Sequence, residues 1–256
     1  MKIKILGCSG GRSIDGDPTC FLIDDKILID TGAVTTKLDD EALKNLEHLI
    51  ITHSHFDHIA DLPFLMEKLF WVKKDVFNIH SSKESRDTIL SHVLNNSVWP
   101  NLVEIAKSRN DIFKWNVINN SNTFNISNYE ITSIRVNHII PTDGLIIDDG
   151  KYSIAFTADT YITEEFWKMC NEKSNLKSVI ADVSFPDHMD ETAELTRHLT
   201  PKLFFEETKK LNRDDITYYI SHVKPLFKNE VLQDLSKLSN HNSLEVLRDG
   251  MVLDIS

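Results

Sequence analysis

The 256 residues contain no apolar run near the ~20 positions that a membrane-crossing helix needs, so the sequence offers no membrane span. Cysteine is scarce. Cys8, Cys20 and Cys170 are an odd count at wide spacing, which argues against a disulfide framework and for a reducing, cytoplasmic setting. Packed thiols are expected at all three, with a reactive Cys8 or Cys20 as the alternative. Basic runs are missing as well. Lys and Arg number 28 against 39 Asp and Glu, and the net charge of −11 disfavours a grip on long nucleic acid, which clustered cations provide. No Pro/Gly-rich linker or low-complexity stretch divides the chain, so residues 1–256 are expected to form one domain. The opening Met1–Gly7 reads as a strand and is too short for a signal peptide.

Histidine, by contrast, is concentrated. His53-Ser54-His55-Phe56-Asp57-His58 places three imidazoles and a carboxylate directly after the largely apolar His48–Thr52. Imidazole with carboxylate suits Zn²⁺, Mn²⁺ or Fe²⁺ rather than Cu⁺ or an iron–sulfur cluster. Four donors so close together strain one tetrahedral ion and suit two adjacent ones. Two ions about 3.5–4 Å apart clamp an in-line displacement, usually at a phosphate ester.

Branched or alternating apolar stretches predict strands over Lys2–Gly7, Cys20–Asp24, Lys26–Asp30, Leu49–Thr52, Val76–His80, Tyr129–Val136, Leu145–Ile147, Ser153–Thr157, Ser178–Asp182, Ile216–Ile220 and Met251–Ile255. Helical patterns fill Asp39–Leu46, Ile59–Val72, Glu84–Leu94, Glu164–Asn171, Pro201–Leu211 and Glu230–Leu238. Asp24-Asp25 and Asp148-Asp149-Gly150 read as hairpin turns. Several strands run into a polar group: Asp30, His53, Asp159 and His222 each follow an apolar run, and His138 follows Ile131–Val136. Rigid strand ends place metal ligands well. The pattern suits two mixed sheets packed face to face with helices outside.

The order H-x-H-x-D-H, a lone His138, Asp159 in Thr157-Ala158-Asp159-Thr160 and a late His222 resembles the metallo-β-lactamase superfamily over nearly the whole chain. Within it, the chain is similar to class II 3′,5′-cyclic-nucleotide phosphodiesterases, which are related to tRNase Z. The resemblance implies an α/β fold, a four-layer αββα sandwich with a dinuclear site at the sheet edges. It also implies a ligand set: one ion on His53, His55 and His138, a second on Asp57, His58 and His222, and Asp159 bridging both with a shared water. Zn²⁺ is the first expectation for both ions, ahead of Mn²⁺ or Fe²⁺.

Asp30 is placed to accept the free N–H of a ligating imidazole and fix its tautomer. His198, in Arg197-His198-Leu199-Thr200, resembles the H-x-T element of the same relatives and can stabilise an oxyanion or protonate a departing alkoxide. Together with Asp57 and Asp159 it forms the expected catalytic set. Arg197, Asn96 and Trp99 are candidate substrate contacts: a guanidinium for phosphate, an amide for a base edge and a ring for stacking. A packed helix end halted by Pro100 is the plainer reading of Asn96 and Trp99. Asp61 and Phe56 depart from the phosphodiesterase signature, which has Gly and Leu there. The loop Gly7-Cys8-Ser9-Gly10-Gly11 reads as a tight turn near the mouth and lacks P-loop spacing.

The implied reaction is hydrolysis of a 3′,5′-cyclic nucleotide to the nucleoside 5′-monophosphate, with a small anionic nucleotide as partner and a homodimer as the assembly. A tRNase Z-like endoribonuclease shares all seven ligands, but neither the acidic charge nor the lack of a basic insertion favours it. A glyoxalase II-type thioester hydrolase shares the cluster without a use for His198. A metal-stabilised binding module that hydrolyses nothing is the remaining alternative.

Overall fold

The computed structural model describes residues 1–119, 122–238 and 243–255. Its strands are β1 (Lys2–Gly7), β2 (Cys20–Ile23), β3 (Ile27–Ile29), β4 (His48–Ile50), β5 (Phe77–Ser82), β6 (Phe113–Ile118), β7 (Thr123–Ile126), β8 (Tyr129–Val136), β9 (Thr142–Asp148), β10 (Ser153–Phe156), β11 (Leu176–Asp182), β12 (Thr217–Ser221), β13 (Leu244–Val246) and β14 (Val252–Asp254). One seven-stranded sheet runs β14-β1-β2-β3-β4-β5-β6 and the other β13-β12-β11-β10-β9-β8-β7. Both are mixed: β3 to β6 and β10 to β13 pair in parallel, and the remaining neighbours are antiparallel. Asp24 and Asp25 both take positive φ, 43° and 59°, which a type I′ turn between β2 and β3 requires.

Period-two alternation decides the layers. Ile3, Ile5, Phe21, Ile27, Ile29 and Ile50 of the first sheet meet Ile131, Leu145, Ile147, Ile154, Phe156 and Ile180 of the second in a buried layer between them. The opposite faces carry helices. Leu22, Leu28 and Leu49 pack beneath α1 (Asp40–Asn45), α3 (Leu62–Val72), α4 (Lys83–His92) and α5 (Leu102–Ala106). Ile146, Ala155, Val179 and Ile220 pack beneath α6 (Glu165–Glu172), α8 (Pro201–Thr208) and α9 (Lys228–Leu238). This is the expected αββα sandwich.

One expected helix is divided. Ile59–Val72 splits into α2 (Phe56–Ile59) and α3. In a continuous helix the Pro63 ring would collide with the Ile59 carbonyl. Asp61 instead gives its N–H to Thr31 O at 2.8 Å, which ties the break to the loop after β3. Strands β6, β7 and β13 and helices α5 and α7 (Asp190–Thr196) were not expected. They are short or polar, and Ala193 is the one buried residue of α7.

Candidate metal centre

The donors gather where strands of both sheets end. Parallel pairing of Ile29 with Ile50 sets Asp30 beside the run that leads to His53. In the second sheet β10 leads to Asp159, β8 to His138 and β12 to His222. Pairing of Asp182 with Ser221 sets the last residue of β11 beside that end of β12. Sharp turns then aim the side chains: Asp30, Ala158, Arg197 and His222 have φ of 58°, 51°, 56° and 63°, a left-handed region that is costly for such residues.

His53, His55, His138 and Asp159 form one group whose ligand atoms lie within 4.8 Å of one another, and Asp57, His58 and His222 form another. His138 Nε2 is 3.1 Å from His55 Nδ1, and His58 Nε2 is 3.3 Å from His222 Nε2. Two ligands on a tetrahedral ion with bonds near 2.05 Å stand about 3.3 Å apart, so these spacings match the edges of a coordination shell. Asp159 lies between the groups, with Oδ2 3.5 Å from His53 Nε2 and 3.3 Å from His222 Nε2, and Oδ1 3.2 Å from His58 Nε2. Asp57 Oδ2 is 3.3 Å from His222 Nε2. His53 Nε2 is fully buried with no hydrogen-bond partner. An orphaned imidazole nitrogen facing the Asp159 carboxylate is accounted for by a divalent cation, so the residues present fit one.

Three of the imidazoles are aimed by their other nitrogen. His58 Nδ1 donates to Asp30 Oδ2 at 2.7 Å, and Asp30 also accepts from Thr52 N and Oγ1 at 2.8 and 2.7 Å. His138 Nδ1 donates to Arg197 O at 3.0 Å. His222 Nδ1 lies 3.0 Å from Ser184 Oγ and 3.6 Å from Asp182 Oδ1. Such partners fix the tautomer that leaves the metal-facing nitrogen free.

Burial pushes His53 well below the ordinary histidine range and brings His138 down to about 4, keeping both imidazoles neutral, as a metal ligand must be. For Asp57, burial opposes ionisation, but the His222 hydrogen bond and the charges of His58 and His222 hold its carboxyl well below the carboxylate range. Asp159 is held well down against burial by His222, His58 and His53. Burial would lower His58 and His222 too. Asp159 and Asp30 carry His58 well above its usual range, and Asp159 leads in raising His222 to about 9. Protons and cations therefore compete for these nitrogens.

His198 is 6% exposed, and its Nδ1 donates to Asp182 Oδ2 at 2.7 Å, with Ser184 Oγ at 3.2 Å. Its ring stacks on His222 at 5.1 Å and 18°, and lies edge-on to His138 at 5.1 Å. Asp182 ends a predicted strand beside the other donors, but no spacing motif marks it as a site residue. His198 and His222 hold its carboxyl well below the usual range against burial.

The remaining candidates behave differently. Arg197 caps α7 and stacks its guanidinium 5.6 Å from the Tyr161 ring centroid. Trp99 packs edge-on to Phe64 at 5.1 Å and against the outer core, while Asn96 Oδ1 accepts from Asn101 N at 2.9 Å. Neither joins the converging donors. Asp61 does not cap α3; its carboxylate accepts from Thr35 N and Oγ1 at 2.9 and 2.8 Å and meets Arg12 at 3.5 Å. All three cysteines are buried and unpaired. The Gly7–Gly11 loop sits on the His222 segment, where Cys8 O accepts from His222 N at 2.7 Å.

Among proteins of related sequence, endoribonuclease YSH1 of Yarrowia lipolytica is 27% identical over 177 residues, 63% of this chain and 21% of that protein. The probable metallo-hydrolase YhfI of Bacillus subtilis is 23% identical over 172 residues, 65% of this chain and 66% of that protein. The matches thus span about a fifth of the first relative and just under two thirds of the second. Of solved structures, unliganded yeast PDE1 superposes with a TM-score of 0.83 at 18% identity, covering 99% of each chain. The metallo-β-lactamase-fold protein YhfI of Bacillus subtilis gives 0.78 at 17% identity, also over 99% of each. The short form of human tRNase Z gives 0.73 at 17% over 100% of each. The profile of the family described as "Anti-Pycsar protein Apyc1" matches residues 1–204, from the first strand through the His198 element. The chain has the metallo-β-lactamase fold and belongs to the Anti-Pycsar protein Apyc1 family.

Proposed function

We propose that the protein hydrolyses a 3′,5′-cyclic nucleotide of the cAMP or cGMP kind to the nucleoside 5′-monophosphate. Two divalent cations, Zn²⁺ before Mn²⁺ or Fe²⁺, would be held by His53, His55, Asp57, His58, His138, Asp159 and His222. Bound there, they supply Lewis-acid polarisation of a phosphate oxygen and a water of lowered pKa. The observation that carries the reading is His198, an imidazole beyond the ligand set, locked by Asp182 at 2.7 Å and stacked on His222. With Nδ1 engaged, Nε2 is the nitrogen left to give a proton to the departing ribose oxygen. An alkoxide leaving group needs that proton, whereas a thiolate does not, which favours a phosphodiester over a thioester. Asp182 holds the ring in the orientation that turns Nε2 toward that oxygen. The net charge of −11 favours a small anionic substrate over a long polynucleotide.

Product analysis over a panel of cyclic mono- and dinucleotides tests the reading, with wild type, His198→Ala and Asp57→Ala. Wild type should yield 5′-monophosphates, His198→Ala should lose about 10²–10⁴-fold in kcat, and Asp57→Ala should lose turnover with metal. Undiminished cleavage by Asp57→Ala refutes the two-metal reading. The 27% match to an endoribonuclease favours one second reading, a phosphodiesterase acting on RNA. Tight tRNA binding that falls steeply with added salt would support it.

A further inference from the structure

We propose that Lys224 is a substrate-anchoring residue whose ammonium binds the phosphate on the Asp57 side of the metal centre. The inference rests on the phosphodiesterase reading above and adds a contact to it. Lys224 lies two residues beyond His222, with its side chain 25% exposed and Nζ 3.7 Å from Asp57 Oδ2. Among the described residues its ammonium makes no hydrogen bond, and Asp57 is its one ion-pair partner.

The backbone that carries it is pinned on every side. Lys224 N donates to Ser184 O at 3.2 Å, Phe227 N donates to Lys224 O at 2.9 Å, and Gly10 N donates to Val223 O at 3.1 Å. Pro225 follows and restricts Lys224 to the extended conformation it adopts, φ −64° and ψ 123°. Gly10 then covers the side chain. A Cβ at Gly10 would lie 2.9 Å from Lys224 Cδ and 2.5 Å from His222 O, so glycine lets the loop close onto both. A flexible methylene stem is thereby held, and its charged end reaches the edge of the site.

Charge explains what that end is for. Asp57 is a candidate metal ligand, so its negative charge is shared with the cation once the site is loaded. The ammonium then faces positive charge at close range, which favours arrival of an anion. A phosphodiester held by cations on one oxygen still presents a second non-bridging oxygen. Lysine suits it as a compact point charge with three donors. A lone lysine carries no spacing signal, so the sequence alone does not mark Lys224.

The test uses Zn²⁺-loaded wild type, Lys224→Met and Lys224→Arg, with inorganic phosphate as probe in calorimetric titration and bis(p-nitrophenyl) phosphate as a general diester. Lys224→Met should weaken phosphate binding about tenfold or more and raise KM more than it lowers kcat, given what a hydrogen bond to a charged group contributes. Lys224→Arg should keep phosphate binding within about threefold, and metal content should match wild type throughout. Unchanged phosphate affinity in Lys224→Met overturns the proposal. So does loss of metal in step with loss of phosphate, because Lys224 would then serve to hold Asp57. If wild type cleaves no diester, the phosphodiesterase reading fails, while the phosphate titration still decides the role of Lys224.

Discussion

Replacing Asp182 by Asn should damage turnover and metal binding together, because one carboxylate serves two imidazoles. Asp182 is 3% exposed and accepts from His198 Nδ1 and Ser184 Oγ at 2.7 Å each and from Thr160 N at 3.2 Å, with His222 Nδ1 3.6 Å away. An amide keeps one acceptor oxygen but turns an N–H pair toward groups that are themselves donors. A hydrogen bond to a charged group contributes about 1.5–3 kcal/mol, so an imidazole of His198 that is no longer held in place should lower kcat roughly tenfold to 150-fold. Loss of a carboxylate behind a ligating imidazole costs about 10–100-fold in metal affinity, or ~1.4–2.7 kcal/mol. Competition with a chromophoric chelator measures the second quantity, and diester hydrolysis at saturating metal isolates the first. His198→Ala is the control, since it should lower kcat about 10²–10⁴-fold while leaving metal affinity unchanged. An Asp182→Asn protein with wild-type metal affinity and a kcat within threefold of wild type refutes the assignment of Asp182 as the orienting group.

Gly10→Ala should lower Tm by about 3–8 °C, since a Cβ only 2.5 Å from His222 O forces the Cys8–His222 seam apart. The same variant should bind metal more weakly; unchanged melting and unchanged metal affinity would contradict the contact. His80 supplies a pH test away from the candidate ligands. Burial, reinforced by His48 and Lys114, lowers it to about 4 from 6.5. The unfolded chain then binds more protons than the folded one between those values, so the contribution is complete above pH 6.5 and drains away toward pH 4. By pH 5 that amounts to about 2 kcal/mol. Urea unfolding with chelator present should therefore show His80→Gln losing about that much less stability than wild type between pH 7.5 and 5.0. Equal losses would refute the linkage.

Much of the centre was legible because its chemistry follows one local rule, an apolar strand ending in a donor. Asp30, His53, His138, Asp159 and His222 all obey it. Asp182 obeys it too, closing the predicted strand Ser178–Asp182, and was passed over because no spacing motif pointed to it. The division of α2 from α3 was also written in Pro63, but the apolar period running through Ile59–Val72 outweighed it. Strands β6, β7 and β13 were harder, being formed by residues such as Asn116, Asn125 and Glu245 whose pairing depends on a neighbour supplied by another part of the chain. Arg197 shows the same limit at a single residue. Its backbone carbonyl aims His138, a role that side-chain identity does not encode.

The candidate ligands come from opposite halves of the polypeptide, His53 to His58 from the first sheet and His138, Asp159 and His222 from the second. An ion seated there fastens two separately hydrogen-bonded slabs like a rivet, and one that joins His58 to His222 closes a loop more than half the chain long. Loop-closure entropy grows with length, though slowly, so a clasp between distant partners gains somewhat more than one between near neighbours. Occupancy and assembly of the two slabs thus become a single equilibrium, and scarcity of the ion would be felt first as looseness between them.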